Sequence, residues 1–172
     1  VGARGLTRSI EEGIHASAGD WVAWMDADFS HPPTALPALA AALADCDVAV
    51  GSRYVAGAAD VRGCPCRVAA SALLNCLAQL LLGSRVHDYS SGFVMARREV
   101  LRTLPLAGGY GEYCIDFLCR AQRAGYRIAE VPFANVPRRE GQTKTSANPL
   151  TFVGHGLTYL RSFLGRDPVV GE

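Results

Sequence analysis

Charge of either sign is scarce in this chain: 19% of its 172 residues are charged, and 17 basic side chains meet 16 acidic ones for a formal net charge of +1. That balance lacks the basic footprint of a nucleic-acid-binding protein, so no such partner is expected. Long polar or single-sign runs are absent, and Gly (18) and Pro (9) are at ordinary levels, which excludes a collagen, a disordered tail and a linker-dominated chain. The longest apolar stretch, Val68 to Gly83, is broken by Ser71, Asn75 and Gln79 and is too interrupted for a span of about 20 apolar residues. Cys46, Cys64, Cys66, Cys76, Cys114 and Cys119 form no Cys-x-x-Cys pair, and no spaced histidine pair follows them, so the zinc template fails. Buried, reduced thiols are the expectation, with a Cys64–Cys66 redox or metal clip as the alternative. Arg4 and Arg8 are not followed by a continuous apolar core, so these residues do not read as a signal peptide. What remains, with 49% hydrophobic residues, reads as one soluble globular domain over residues 1–172.

The periodicity alternates between helix and strand. Leu6, Ile10 and Ile14 recur every four residues, predicting a helix from about Ala3 to Ala18 that stops at Gly19. Trp21 to Met25 reads as a short, fully buried strand ending at Asp26-Ala27-Asp28. Pro32-Pro33 can open a helix whose apolar face is Leu36, Leu39, Ala40 and Leu43. Asp47 to Gly51 is a second apolar strand, followed by a loop to about Cys64. Strand, helix, strand in that order indicates a parallel α/β sheet. Downstream, helices are expected over Arg67 to Leu82, Arg98 to Leu104 and Glu112 to Ala124. Strands are expected over Phe93 to Ala96 and Tyr126 to Phe133, with Pro132 pointing to an edge or a bulge. Arg138 to Asn148 reads as a polar loop, and residues 149–164 as a C-terminal amphipathic helix bearing Phe152, Leu157, Leu160 and Leu164. The 67–82 helix carries Ser71, Asn75 and Gln79 as a thin polar stripe on one face. Core packing is the first reading of both apolar helices; the other is contact with a membrane surface and a prenyl chain.

Asp26 and Asp28 are the sharpest chemical feature. At a strand end, residues i and i+2 project to one side about 6–7 Å apart, so two carboxylates there can share a cation. Ligands of open α/β sheets lie beyond the carboxyl ends of strands, where this pair falls. A helix-capping or solvated acidic turn is the plainer reading of the same residues. His31, ahead of two prolines, reads as a turn-fixing element rather than a base.

The run Asp26-Ala27-Asp28-Phe29-Ser30-His31-Pro32-Pro33, then Gly51-Ser52-Arg53-Tyr54, Asp88-Tyr89-Ser90-Ser91-Gly92-Phe93 and Glu130-Val131-Pro132, resembles the dolichyl-phosphate mannose synthase branch of family 2 glycosyltransferases. Arg138, Gly141 and Lys144 fit the family's Arg-x-x-Gly-x-Ser-Lys motif, with Thr143 in place of Ser. The resemblance covers about Gly5 to Leu164. It implies an α/β, Rossmann-like GT-A fold, a mostly parallel sheet flanked by helices, of which this chain is the later part; a nucleotide-binding strand and helix would precede Val1. It implies inverting transfer of a hexose, with mannose from GDP-mannose favoured, to a polyprenyl or dolichyl phosphate, with Mg²⁺ or Mn²⁺, by an enzyme peripheral at the cytosolic membrane face.

The residue roles implied by the resemblance follow the motifs. Asp26, Asp28 and Ser30 would form the metal site, with Ser30 standing where the family often has Gln. Arg53, Arg67 and Ser71 would hold the acceptor phosphate; Arg67 and Ser71, at i and i+4, share one helix face. Asp26, Asp88, Arg138 and Lys144 would face the donor, and Asp28 and Arg138 carry the catalytic assignment. Asp116 replaces the usual Glu of its helix and receives no role. Two other readings stand beside this one: a family 2 enzyme with another lipid or cell-surface glycan as acceptor, and a non-catalytic remnant or subunit. The processive polysaccharide-synthase version is weakened by the lack of a Gln-x-x-Arg-Trp motif.

Overall fold

The structure is a computed structural model that describes residues 5–61, 65–83, 85–108 and 111–137, without the Arg67 side chain. Its elements in order are α1 (Leu6–Ala16), β1 (Trp21–Trp24), α2 (Leu36–Ala42), β2 (Val48–Ser52), β3 (Ala59–Asp60), α3 (Pro65–Leu82), β4 (Val94–Arg97), α4 (Arg98–Thr103), α5 (Glu112–Arg123), β5 (Ile128–Pro132) and β6 (Ala134–Asn135). Most match the expected segments to within a few residues. The 149–164 helix and the 138–148 loop lie outside the described residues.

Helix α1 stops at Ser17, whose hydroxyl donates to the Ile14 carbonyl at 2.7 Å. The Arg98 guanidinium then collects the chain end, donating to the Ile14 and Gly19 carbonyls and to Ser17 Oγ. A cation at the helix C-terminus also suits the helix dipole. A single 3₁₀ turn, Pro33–Ala35, leads into α2, as proline's missing N–H allows.

The main sheet has the order β1-β4-β2-β5. β2 and β5 are parallel, while β4 runs antiparallel to both β1 and β2. Three strands therefore share one direction, and the reversed β4 is inserted between β1 and β2. The strand–helix–strand order predicted the shared direction of β1 and β2; it did not predict the strand between them. β1 also differs from the fully buried strand expected of it. As an edge strand it buries Val22 and Trp24 on one face and leaves Trp21 48% exposed.

Alternation along the central strands divides the core in two. Val48, Val50, Val94 and Ala96 face α5, where Ile115, Phe117 and Leu118 are buried, and Ile10 and Ile14 of α1 pack on the same cluster. Ala49, Phe93, Met95 and Phe133 face Leu39 and Leu43 of the α2 segment. Helices thus cover both faces of the sheet. The loop after β2 contains an unexpected strand: β3 pairs in parallel with β6 and draws residues 59–60 to 134–135.

Candidate active site

Strand β1 ends at Trp24, so Asp26 and Asp28 follow it in a turn, not in the extended register of the sequence reading. Asp28 Oδ1 accepts the Ser30 N–H at 3.0 Å. Between them Phe29 has φ of 64°, a left-handed conformation that is costly for a bulky side chain and needs surrounding support. His31 supplies part of it. Its Nδ1 accepts the Asp26 N–H at 3.0 Å, and its buried ring stacks on Phe93 (centroids 5.0 Å, 7°) and meets Phe133 edge-on at 5.4 Å. Burial lowers the His31 pKa, the nearby Asp26 carboxylate opposing it and Arg53 reinforcing it, so the neutral ring keeps Nδ1 as an acceptor. The Val136 N–H donates to the Ser30 carbonyl at 3.2 Å and anchors the turn from the other side. His31 is the turn-fixing element its position suggested.

Asp26 is exposed, Asp28 half-buried and Ser30 buried. Their chemistry fits a hard divalent cation, which prefers oxygen donors and often takes only one or two carboxylates beside substrate phosphates and water. One Asp28 oxygen already accepts from Ser30. Among the described residues no group of three or more His, Cys, Asp or Glu side chains gathers to hold an ion, so a cation here would complete its shell with phosphate oxygens and water.

A second, buried network surrounds Arg53. Its Nε donates to Asp88 Oδ2 at 2.8 Å and its Nη2 to Asp88 Oδ1 at 2.7 Å, while the Arg53 N–H donates to Oδ2 at 3.0 Å. Nη2 also donates to Ser90 Oγ at 2.9 Å, and Nη1 lies 3.8 Å from Asp60 Oδ2. Burial acts to lower the Arg53 pKa, but the Asp88 hydrogen bonds and charge outweigh it and hold the group above its ordinary value. Asn75 binds the adjoining pieces together: Nδ2 donates to the Ser71 carbonyl and to Ser90 Oγ, and Oδ1 accepts the Tyr89 N–H. Tyr54, beneath the Arg53 guanidinium at 5.2 Å, donates its hydroxyl to Ser71 Oγ at 3.0 Å.

The fold therefore joins Arg53, Ser71 and Asp88 in one network, with the acidic turn of Asp26, Asp28 and Ser30 near it. The charges of Asp26, Asp28, Arg53 and Asp88 all act on the His31 ring. Asp88, expected beside the donor sugar, is fully buried and has both oxygens on Arg53. Arg67 lies on α3 four residues before Ser71; its side chain, Arg138 and Lys144 fall outside the described residues. Asp116 is paired along its own helix with Arg120 at 2.8 Å.

Asp60, Ser90, Asn75 and Glu130 are participants that received no role from sequence. Ser90 and Glu130 sat in quoted motifs, and Asn75 was visible as a polar residue in an apolar helix. Asp60 had no sequence signal, because only the β3–β6 pairing brings it to Arg53.

Helix α3 packs on the core through Leu74, Ala78 and Leu82, as the core-packing reading expects, but only along that row. Its polar stripe faces inward through Ser71, Asn75 and Gln79, the last donating to the His87 carbonyl at 3.3 Å. Leu73 (62%), Leu77 (41%), Leu80 (79%) and Leu81 (49%) are exposed, contrary to core packing of this face. The cysteines divide as well. Cys46, Cys114 and Cys119 are buried, and burial pushes the thiols of Cys114 and Cys119 up to about 12; Cys66 and Cys76 are exposed, and Cys64 lies outside the described residues.

A helix-covered sheet with one reversed strand and an acidic turn beyond a strand's carboxyl end is the GT-A architecture. Glucosyl-3-phosphoglycerate synthase from Mycobacterium tuberculosis, solved with Mn²⁺, UDP and glucosyl-3-phosphoglycerate, shares it: TM-score 0.65 at 24% identity, over 95% of this chain and 56% of that one. Residues 2–104 match the glycosyl transferase family 2 domain, and the chain belongs to that family. It is 40% identical over 129 residues to the polyprenol monophosphomannose synthase of Mycolicibacterium smegmatis, covering 72% of this chain and 48% of that protein. It is 36% identical over 126 residues to the undecaprenyl-phosphate mannosyltransferase of Micrococcus luteus, covering 71% and 51%. The chain spans about half the length of the curated relatives it matches.

Proposed function

We propose that this chain is part of the catalytic domain of an inverting glycosyltransferase that moves a hexose, mannose from GDP-mannose, to a polyprenyl phosphate. The observation that carries the reading is the similarity to two proteins named for polyprenyl-phosphate mannosyl transfer, in a chain that keeps both the acidic turn and the buried arginine network. In the reaction, an oxygen of the acceptor phosphate bonds to the sugar's anomeric carbon from the face opposite the leaving group. The bond from that carbon to the nucleoside diphosphate breaks, and its electron pair leaves with the diphosphate. The acceptor phosphate is already ionised at neutral pH, so no strong base is required.

The work of the protein is then to position two anions and to offset their charge. Asp26 and Asp28, with Ser30 through water, would hold Mg²⁺ or Mn²⁺, which when bound supplies Lewis-acid stabilisation of the leaving diphosphate. Ser71, Arg67 and the Nη1 side of Arg53 would receive the acceptor phosphate, a planar guanidinium being suited to phosphate oxygens. Arg138 and Lys144 would serve the donor, while Asp88, buried with both oxygens on Arg53, would act on the acceptor side by orienting that guanidinium.

The apolar outer row of α3 supports a peripheral position at the cytosolic membrane face. A cleft of about 270 Å³ at its C-terminal end is lined in part by Leu81, Leu82, Arg85 and Arg123, a pairing of apolar and basic groups suited to an anionic lipid surface. Among the described residues no helix is long and apolar enough to cross a membrane.

The test is transfer by the full-length protein from radiolabelled GDP-mannose to a short polyprenyl phosphate with Mn²⁺. Lipid-linked mannose is expected, and Asp28→Asn is expected to reduce it by roughly a hundredfold or more. Transfer to a non-lipid acceptor with polyprenyl phosphate untouched would move the assignment to another family 2 acceptor. Absence of metal-dependent nucleotide binding would indicate a non-catalytic subunit.

A further inference from the structure

Glu130 belongs to β5, in register with Val50 of β2, and its carboxylate leaves the sheet to grip the turn that carries Asp88. Oε2 accepts the His87 N–H at 2.8 Å and lies 2.7 Å from His87 Nδ1, while Oε1 accepts the Asp88 N–H at 2.9 Å. The Glu130 side chain is 8% exposed, whereas that of His87 is 47% exposed. A carboxylate is suited to this place because it only accepts: two adjacent backbone N–H groups converge on it, and both bonds are charge-assisted. A glutamine of the same shape would turn an NH₂ donor toward one of those N–H groups and lose a bond.

The gripped turn is the one whose Asp88 takes the Arg53 backbone N–H, Nε and Nη2. Its next residues complete the surroundings, since Ser90 Oγ accepts from Arg53 and from Asn75. A shift of the His87–Asp88 backbone would therefore move the carboxylate that orients the guanidinium and disturb the bond joining α3 to it. Among the described residues Glu130 bonds to His87 and Asp88 and not to Arg53, so whatever it does there passes through the turn.

We infer that Glu130 is a positioning residue for anion binding: by fixing the His87–Asp88 backbone it sets the orientation of the Arg53 guanidinium. This rests on the reading above, in which Arg53 helps to receive the acceptor phosphate. Catalytic work in the sense of touching substrate is not part of the role.

The experiment compares Glu130→Gln and Glu130→Asp with the unaltered full-length protein, below the unfolding temperature of each variant. The first readout is amide hydrogen exchange at Asp88 together with the NMR signal and exchange of Arg53 Nε–H, neither of which needs turnover. Glu130→Gln is expected to speed exchange at both by tenfold or more and to shift the Arg53 signal, with Glu130→Asp, which keeps two acceptors, closer to the unaltered protein. The second readout is steady-state transfer from GDP-mannose to a short polyprenyl phosphate. In Glu130→Gln the acceptor KM is expected to rise about tenfold while the donor KM stays within twofold. Unchanged exchange and signal at Arg53 would overturn the inference, as would acceptor and donor KM values that rise together. If the unaltered protein transfers nothing to polyprenyl phosphate, the functional reading fails, and the exchange measurement still decides whether Glu130 positions Arg53.

Discussion

At Gly51 a side chain has nowhere to go: a Cβ would stand 2.7 Å from a Phe93 ring carbon and 3.2 Å from Phe133. Those two rings enclose His31, which fixes the acidic turn, so a missing methyl group in β2 is connected to the placement of Asp26. Gly51→Ala is expected to cost about 1–3 kcal/mol through overpacking, read as a lower denaturant midpoint; an unchanged midpoint would contradict the close approach. Arg53 gives a larger expectation. Its removal leaves the fully buried Asp88 carboxylate without its bidentate partner, a loss of about 3–5 kcal/mol in equilibrium unfolding of Arg53→Ala. Loss of transfer in that variant alone would therefore not identify a phosphate contact, and Ser71→Ala, which removes a half-buried hydroxyl and its one bond from Tyr54 but strands no charge, is the cleaner probe. The sequence made Arg53 and Asp88 visible separately, through their motifs. Their mutual pairing was not legible, because nothing local links residues 35 positions apart.

Among the elements, β2 has a carboxylate at its start that adds to the backbone bonds there. Asp47 accepts from the Arg127 N–H at 2.8 Å and from its side chain, and Arg97 Nε lies 3.7 Å away, so one residue ties the start of β2 to the start of β5 and the end of β4. Partial burial would raise the Asp47 pKa, yet the hydrogen bonds and charges of Arg127 and Arg97 outweigh it and lower the value from 3.8. A carboxyl depressed in the folded state gives stability that is fully present above its unfolded pKa and is lost as pH falls through the folded one. Thermal melts from pH 6 to pH 3 are expected to show a steeper acid loss in the unaltered protein than in Asp47→Asn; parallel curves would exclude this contribution. Helix α3 supports a different expectation, since Leu73, Leu77, Leu80 and Leu81 are exposed while Asn75 and Ser71 face the network. Replacing Leu73, Leu77 and Leu80 by Ser should change stability by no more than about 0.5 kcal/mol per site but weaken co-sedimentation with anionic vesicles several-fold. Equal sedimentation would remove α3 from the membrane-facing surface. Its helical period and its polar stripe were plain in the sequence. Which of its apolar residues would meet the core was not, because the helix is apolar on several sides and only the tertiary structure seats Leu74, Ala78 and Leu82 on the core while Asn75 bonds to the 89–90 segment.

For the whole molecule, strand and helix segments, the acidic turn and the order of motifs follow from properties carried within a few residues: side-chain periodicity, proline and glycine restrictions, and the local spacing of polar groups. The sequence by itself determined these, and with them the family and the regions where an active site could form. The tertiary structure alone decided that β4 inserts between β1 and β2, that β3 brings Asp60 toward Arg53, that α3 leaves Leu73, Leu77, Leu80 and Leu81 exposed, and that Glu130 holds the turn bearing Asp88. Each of these is a choice among partners distant in the chain, with Glu130 and His87 separated by 43 positions. Such choices are settled by packing and by the need of buried donors, acceptors and charges to satisfy one another, and that competition exists only once the sheet has assembled.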